Sequence, residues 1–223
     1  MTNHWWWRPG VRSGRRLYVW HILFDGRPEI GKLAKECQQR LITVPGLDPV
    51  PTPWLHMTTQ IVGFADEISD SELADMIASV SERMRSVTPT SVSLGRPLFH
   101  SEAVVLGATP REGLDAARSG IRQAVAVTVR TNQLADDPDW VPHLSVAYSN
   151  SDAPAAPVIA AMQPPPPPVD VTIDRIDLVS QERVGHCYVW DGVASVELGA
   201  ARSGAEKAPV VGPGDEGKSG EQE

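Results

Sequence analysis

A chain of 223 residues, 41% hydrophobic and 22% charged, has the make-up of an ordinary globular protein, long enough for one sizeable core or for two small lobes that share one. Its formal net charge of −8 argues against a long, sequence-blind grip on nucleic acid, which is built from Lys and Arg; a small phosphate ester or a single RNA end stays compatible where positive charge is local. Two cysteines, Cys37 and Cys187, are too few for a disulfide scaffold and fit a reducing compartment.

The N-terminal segment carries Trp5-Trp6-Trp7, broken by Arg8 and Pro9. This is not the apolar run of a signal peptide, and no stretch approaches a membrane span, so a cytoplasmic location without a membrane partner is expected. The three tryptophans predict a cap on the folded body rather than a ligand platform; an exposed run would instead mark a partner surface. A basic arm over residues 1–15, with Arg8, Arg12 and Arg15, leads through Arg16 into an apolar strand over 17–24. Ile30, Leu33, Ala34, Cys37 and Leu41 then recur at helical spacing. Pro45, Pro49, Pro51 and Pro53 break the chain before an alternating strand over 55–64. Ser69-Asp70-Ser71-Glu72 has the form of a capping box, opening a helix with Leu73, Met76, Ile77, Val80 and Met84 on one face.

Strand-like segments follow at 91–95 and 103–107. Thr109-Pro110-Arg111-Glu112 reads as a second capping box before a helix carrying Leu114, Ala117, Ile121 and Val125. A strand over 142–148 and a short helix over 155–162 come next, then five prolines at 164–168 as a stiff spacer. Strands at 169–179, 187–190 and 193–198 end the ordered part, with Asp191-Gly192 as the hairpin turn. Residues 200–223, rich in Gly, Glu and Lys, read as a disordered tail. The element order implies an α+β protein with two related lobes over 16–199.

Two segments carry the functional signal: Trp54-Leu55-His56-Met57-Thr58 and Trp140-Val141-Pro142-His143-Leu144-Ser145. The histidines are 87 positions apart (143 − 56 = 87), so each half of one fold could supply one. On a strand, His56 and Thr58 share a face, as do His143 and Ser145, and Gln60 extends the first row. The intervening residues are apolar, so the polar rows are expected to face a cleft. One neutral imidazole can take a proton from water while the other, as imidazolium, protonates a leaving oxygen; the hydroxyls can donate to phosphoryl oxygens. A lone His on a strand is more often structural, but two copies in matched contexts favour a site. No carboxylate or cysteine stands at zinc-ligand spacing from either His, so no metal site and no cofactor are expected.

At these residues the chain resembles the 2H phosphoesterase superfamily, which includes RNA 2′,3′-cyclic phosphodiesterases and 2′-5′ RNA ligases. The resemblance implies a bilobal fold, two pseudo-symmetric β-sheet lobes with outer helices around a central cleft. It implies His56 and His143 as the acid–base pair, Thr58 and Ser145 as phosphate-binding hydroxyls, and a metal-independent phosphodiesterase acting on a 2′,3′-cyclic phosphate or a 2′-5′ bond. It also suggests substrate contacts from Tyr148 and Trp20. Strict alternation puts Tyr148 on the core face, unless a bulge intervenes. Trp20 either stacks on a base or ribose or is a core aromatic. His21 alternates with Trp20 and reads as structural, and His100 and His186 receive no role. The implied partner is a small nucleotide or RNA end, with no obligate protein partner. Ligation of cyclic-phosphate ends, aided by a basic stripe from the arm, and a non-catalytic nucleotide- or RNA-end-binding module are the alternatives.

Overall fold

The computed structural model describes residues 1–131 and 139–199; the tail expected at 200–223 lies outside the described residues. Two antiparallel sheets form the body. The first joins β3 (His56–Phe64), β1 (Leu17–Leu23), β8 (Arg175–Val184) and β9 (Cys187–Glu197) in that spatial order. The second joins β2 (Leu47–Pro49), β6 (His143–Ser149), β5 (Ala103–Thr109), β4 (Thr90–His100) and β7 (Val169–Ile173). This is the expected α+β bilobal arrangement, with one motif strand in each sheet.

Neither lobe is simply one half of the chain. Helix α1 (Pro28–Leu41) follows β1 of the first sheet but packs on β6 and β7 of the second. Helix α3 (Glu112–Thr128) follows β5 of the second sheet but packs on β3 of the first, beside α2 (Asp70–Met84). A short helix, α4 (Ala156–Ala161), lies against α1. The exchange of helices leaves one continuous apolar core running through both lobes, from Trp20 and Ile30 to Leu144 and Leu178.

Several local expectations are modified. The strand expected at 169–179 is divided at Asp174, where the chain leaves the second sheet and enters the first. Asp191-Gly192 is not the hairpin turn: the β8–β9 turn is at Gly185-His186, with Gly185 at φ +59°, and β9 runs unbroken through Asp191. Val179 pairs with Gly192 and Leu178 with Ala194, leaving Val193 as the extra residue of a bulge. Turns and bulges draw on the same permissive residues, so Asp-Gly alone does not separate them. The proline-rich stretch before the first motif contains the three-residue strand β2, at the sheet edge where Pro49 needs no N–H to donate.

The first capping box forms as expected: the Glu72 amide donates to Ser69 Oγ at 3.3 Å, and the Ser69 amide donates to Glu72 Oε2 at 3.0 Å. The second does not. Thr109 stays in β5, and α3 starts at Glu112 with Arg111 in the cap position and no side-chain cap bond. Arg111 is engaged elsewhere, donating to Asp115 and to the Trp140 carbonyl.

The N-terminal arm folds back onto the body. The Met1 amine donates to the Ala153 carbonyl at 2.7 Å and the His4 amide to the Ser149 carbonyl at 2.8 Å. Trp5 is 4% exposed and its indole N–H donates to Asp48 at 2.8 Å, so it is the expected cap. Trp6 and Trp7 are not: they stand 50% and 52% exposed.

The two boxes make opposite predictions. Ser69→Ala should cost about 1 kcal/mol of stability by urea denaturation, whereas Thr109→Ala should stay within about 0.5 kcal/mol because no cap bond is lost there.

Candidate active site

Strands β3 and β6 share one irregularity at one offset. In β3, Thr58 pairs with His21 and Gln60 with Trp20, so Thr59 is an extra residue. In β6, Ser145 pairs with Val105 and Ala147 with Val104, so Val146 is extra. Each bulge follows directly on the motif hydroxyl and resets the alternation. His56, Thr58 and Ile61 therefore line the cleft from one side, and His143, Ser145 and Tyr148 from the other. Tyr148 reaches the cleft because of the bulge, against strict alternation.

The same bulge removes Gln60 from the row in which alternation placed it. Gln60 is buried outside the cleft lining, its amide donating to the Ile61 carbonyl at 2.6 Å. Trp20, paired opposite it, is wholly buried in the apolar core and also absent from the lining. The structure thus brings together His56, His143, Thr58, Ser145 and Tyr148, but not Gln60 or Trp20.

A bulge leaves its carbonyl to be satisfied from outside the ladder. Arg118 of α3 donates to the Thr59 carbonyl at 3.0 Å, and Gln38 of α1 donates to the Val146 carbonyl at 3.0 Å. Each exchanged helix therefore holds the bulge of the motif strand on which it packs. The two tryptophan lead-ins are not equivalent. The Trp140 indole N–H donates to the Thr58 carbonyl at 3.0 Å, tying the second motif to the first, while Trp54 packs edge-on against Trp190 at 4.8 Å.

The imidazoles are anchored alike. His56 Nδ1 lies 2.8 Å from the Trp54 carbonyl and His143 Nδ1 lies 2.7 Å from the Val141 carbonyl, in each case two residues back along the chain. A carbonyl only accepts, so Nδ1 carries the proton and Nε2 is left with a free lone pair. Burial pushes His56 down to about 4, against the raising effect of its carbonyl bond, and the nearby His143 lowers it further. Burial also lowers His143, with the Val141 carbonyl opposing and His100 adding to the fall. Both rings are neutral at neutral pH in the free protein. His21 packs 4.4 Å from the His56 ring and hydrogen-bonds Gln181 at 2.8 Å, a buried support under the motif histidine.

The cleft has a volume of about 620 Å³. Arg8 and Arg183 line it, and among the described residues no carboxylate does. Further lining groups carry no sequence motif: His100 at the end of β4, Tyr188 on β9, and His4 and Trp6 of the arm. The basic stripe offered by the arm is largely neutralised. Arg15 pairs with Asp66 and Glu67, and Arg16 with Glu182 and Asp191.

The profile of the 2′-5′ RNA ligase superfamily matches residues 27–185. No curated protein sequence matches. E. coli LigT complexed with NADP+ is similar in fold, with a TM-score of 0.66 at 16% identity over 83% of this chain and 99% of that one. The Thermus thermophilus protein TT0787 gives 0.63 at 20% identity over 82% and 97%. E. coli LigT complexed with 3′-AMP gives 0.61 at 15% identity over 84% and 99%.

Nitrogen-detected NMR should find both motif histidines in the Nδ1–H form at pH 7, titrating below 6.5, with His56 near 4. Phosphate bound between them should raise both midpoints, because an anion favours imidazolium.

Proposed function

We propose a function from one premise: the chain belongs to the 2′-5′ RNA ligase superfamily. The function is that of a metal-independent phosphodiesterase which opens 2′,3′-cyclic phosphates or cleaves 2′-5′ phosphodiester bonds. One observation carries this reading. Two imidazoles, each fixed by a carbonyl two residues back and each beside a hydroxyl, open on a cleft that contains arginine and, among the described residues, no carboxylate.

In the proposed reaction one Nε2 accepts a proton from water as its oxygen bonds to phosphorus. The other histidine, charged, gives its proton to the ribose oxygen as the P–O bond breaks. Thr58 and Ser145 donate to the non-bridging oxygens, where negative charge must be held. Burial raises the Tyr148 pKa, with Ser145 opposing the rise, so Tyr148 stays a neutral phenol beside that serine. A monoanionic phosphodiester supplies the field that raises one histidine toward its charged form.

A small nucleotide or RNA end is the substrate that fits. LigT structures complexed with NADP+ and 3′-AMP are consistent with it. The pairing of Arg15 and Arg16 with carboxylates weakens the basic stripe that ligation of long RNA would use, and favours hydrolysis. No helix among the described residues is long and apolar enough to cross a membrane.

The protein should turn over 2′,3′-cyclic nucleotides in the presence of EDTA. His56→Ala and His143→Ala should each lower kcat by roughly 10²–10⁴, and Thr58→Ala or Ser145→Ala by roughly 10². Activity in His56→Ala equal to wild type would sink the reading. The active form has one charged and one neutral histidine, and both free-protein pKa values are lowered. The kcat/KM profile should therefore be a bell centred below pH 6.5, falling on the acid side when both are charged and on the alkaline side when both are neutral.

A further inference from the structure

Residues 1–26 lie outside the matched superfamily profile, yet the arm supplies His4, Trp6 and Arg8 to the cleft that holds both motif histidines. Its geometry is built around Glu102, in the tight turn between β4 and β5. Glu102 Oε2 accepts from Arg8 at 2.7 Å and from His4 Nδ1 at 3.0 Å, while Oε1 accepts from the Trp6 indole N–H at 3.0 Å. Burial opposes ionisation of Glu102, but the donors from Trp6, Arg8 and His4 hold its carboxyl below the ordinary range. With Nδ1 donating to Glu102, His4 Nε2 accepts from the Tyr188 hydroxyl at 2.9 Å. The His4 ring in turn stacks on Tyr148 at 4.2 Å. The arm is thus keyed directly to a cleft-lining residue of the second motif strand.

Within this assembly the three tryptophans have different tasks. Trp5 is the buried anchor. Trp7 is covered by Arg183, whose guanidinium carbon lies 4.1 Å from the ring centroid, and it does not line the cleft. Trp6 is half exposed and does line it. Its only polar side-chain atom is already satisfied by Glu102, and Arg8 sits 4.9 Å from its ring centroid. What Trp6 still offers is aromatic surface, held in a fixed orientation. A fixed aromatic plane loses little entropy on stacking, and every nucleobase has a face to offer it. The cleft, at about 620 Å³, falls in the size range of pockets for drug-sized ligands and is not confined to a phosphate group.

We propose that the N-terminal arm completes the substrate site, with Trp6 as the stacking platform for the nucleobase of the nucleotide whose phosphate lies between His56 and His143. This inference rests on the phosphodiesterase reading and adds to it the residue that holds the base, with little discrimination among bases because stacking does not read base edges.

The test compares adenosine 2′,3′-cyclic phosphate with the base-free ribose 2′,3′-cyclic phosphate. Trp6→Ala should raise KM for the adenosine substrate about tenfold while leaving its kcat within about twofold, with the loss confined to the base-bearing compound. Trp6→Phe should recover most of the difference, and Trp7→Ala, which removes a ring that packs on Arg183 and lies outside the cleft, should not discriminate between the two substrates. Equal losses on both substrates, or none on either, would overturn the proposal. If wild type turns over neither compound, the phosphodiesterase reading fails by itself, and calorimetric binding of adenosine 3′-monophosphate decides the subsite. Binding about tenfold weaker in Trp6→Ala supports it; equal affinity, or no binding by wild type, overturns it.

Discussion

A bulge at the same offset in both motif strands is the constraint on which the site depends. Thr59 and Val146 interrupt their ladders directly after the motif hydroxyls. Without them, residues five positions beyond each histidine would turn to the core, and Ile61 and Tyr148 would leave the cleft. With them, the carbonyl of each extra residue is met by a side chain, and the Val146 carbonyl accepts from the Val50 amide at 3.0 Å as well. Arg118 and Gln38 meet it from α3 and α1, the helices exchanged between the lobes. The local kink that aims the cleft residues and the long-range packing that joins the lobes are therefore coupled. A shift of either helix would be felt at the backbone one residue from a catalytic candidate.

Charge is distributed in the same economical way. The chain is acidic overall, yet the described cleft lining contains arginine and imidazole. Carboxylates that could oppose a phosphate are engaged at a distance from it: Asp66 and Glu67 on Arg15, Glu182 and Asp191 on Arg16, and Asp174 on Arg27. Glu102 is turned onto the arm, accepting from His4, Trp6 and Arg8. The motif histidines are uncharged when the cleft is empty, which avoids placing two imidazolium groups in one cleft.

Much of this architecture was legible in the sequence because it depends on local periodicity. Alternation in 55–64 and in 142–148 located both motif strands, and the Ser69–Glu72 box located the start of α2. What alternation cannot foresee is its own interruption. Gln60 and Tyr148 exchanged faces relative to a regular strand because a bulge is set by pairing with a neighbour, not by the residues that bulge. Trp20 lies on the core row of β1, and its match to a stacking tryptophan did not outweigh that burial. The Thr109 box and the Asp191-Gly192 turn failed for a related reason: tertiary pairing extended β5 and β9 across residues whose local preference was to end them. The arm carried no periodic signal, and its anchors are contacts with residues about 45 to 185 positions away, which no local window contains.

The exchange of α1 and α3 between the lobes has a kinetic meaning. As the chain leaves the ribosome, β1 and β3 can pair, but α1 has no sheet to cover until β6 exists, and β1 keeps an open edge until β8 arrives. Leu17 finally pairs with Gln181, a closure spanning most of the described chain. Contacts of such separation slow folding and leave apolar strand edges open in the meantime. The first lobe therefore cannot serve as a finished template for the second. The sheet that carries His56 is complete only once β8 and β9 have been made.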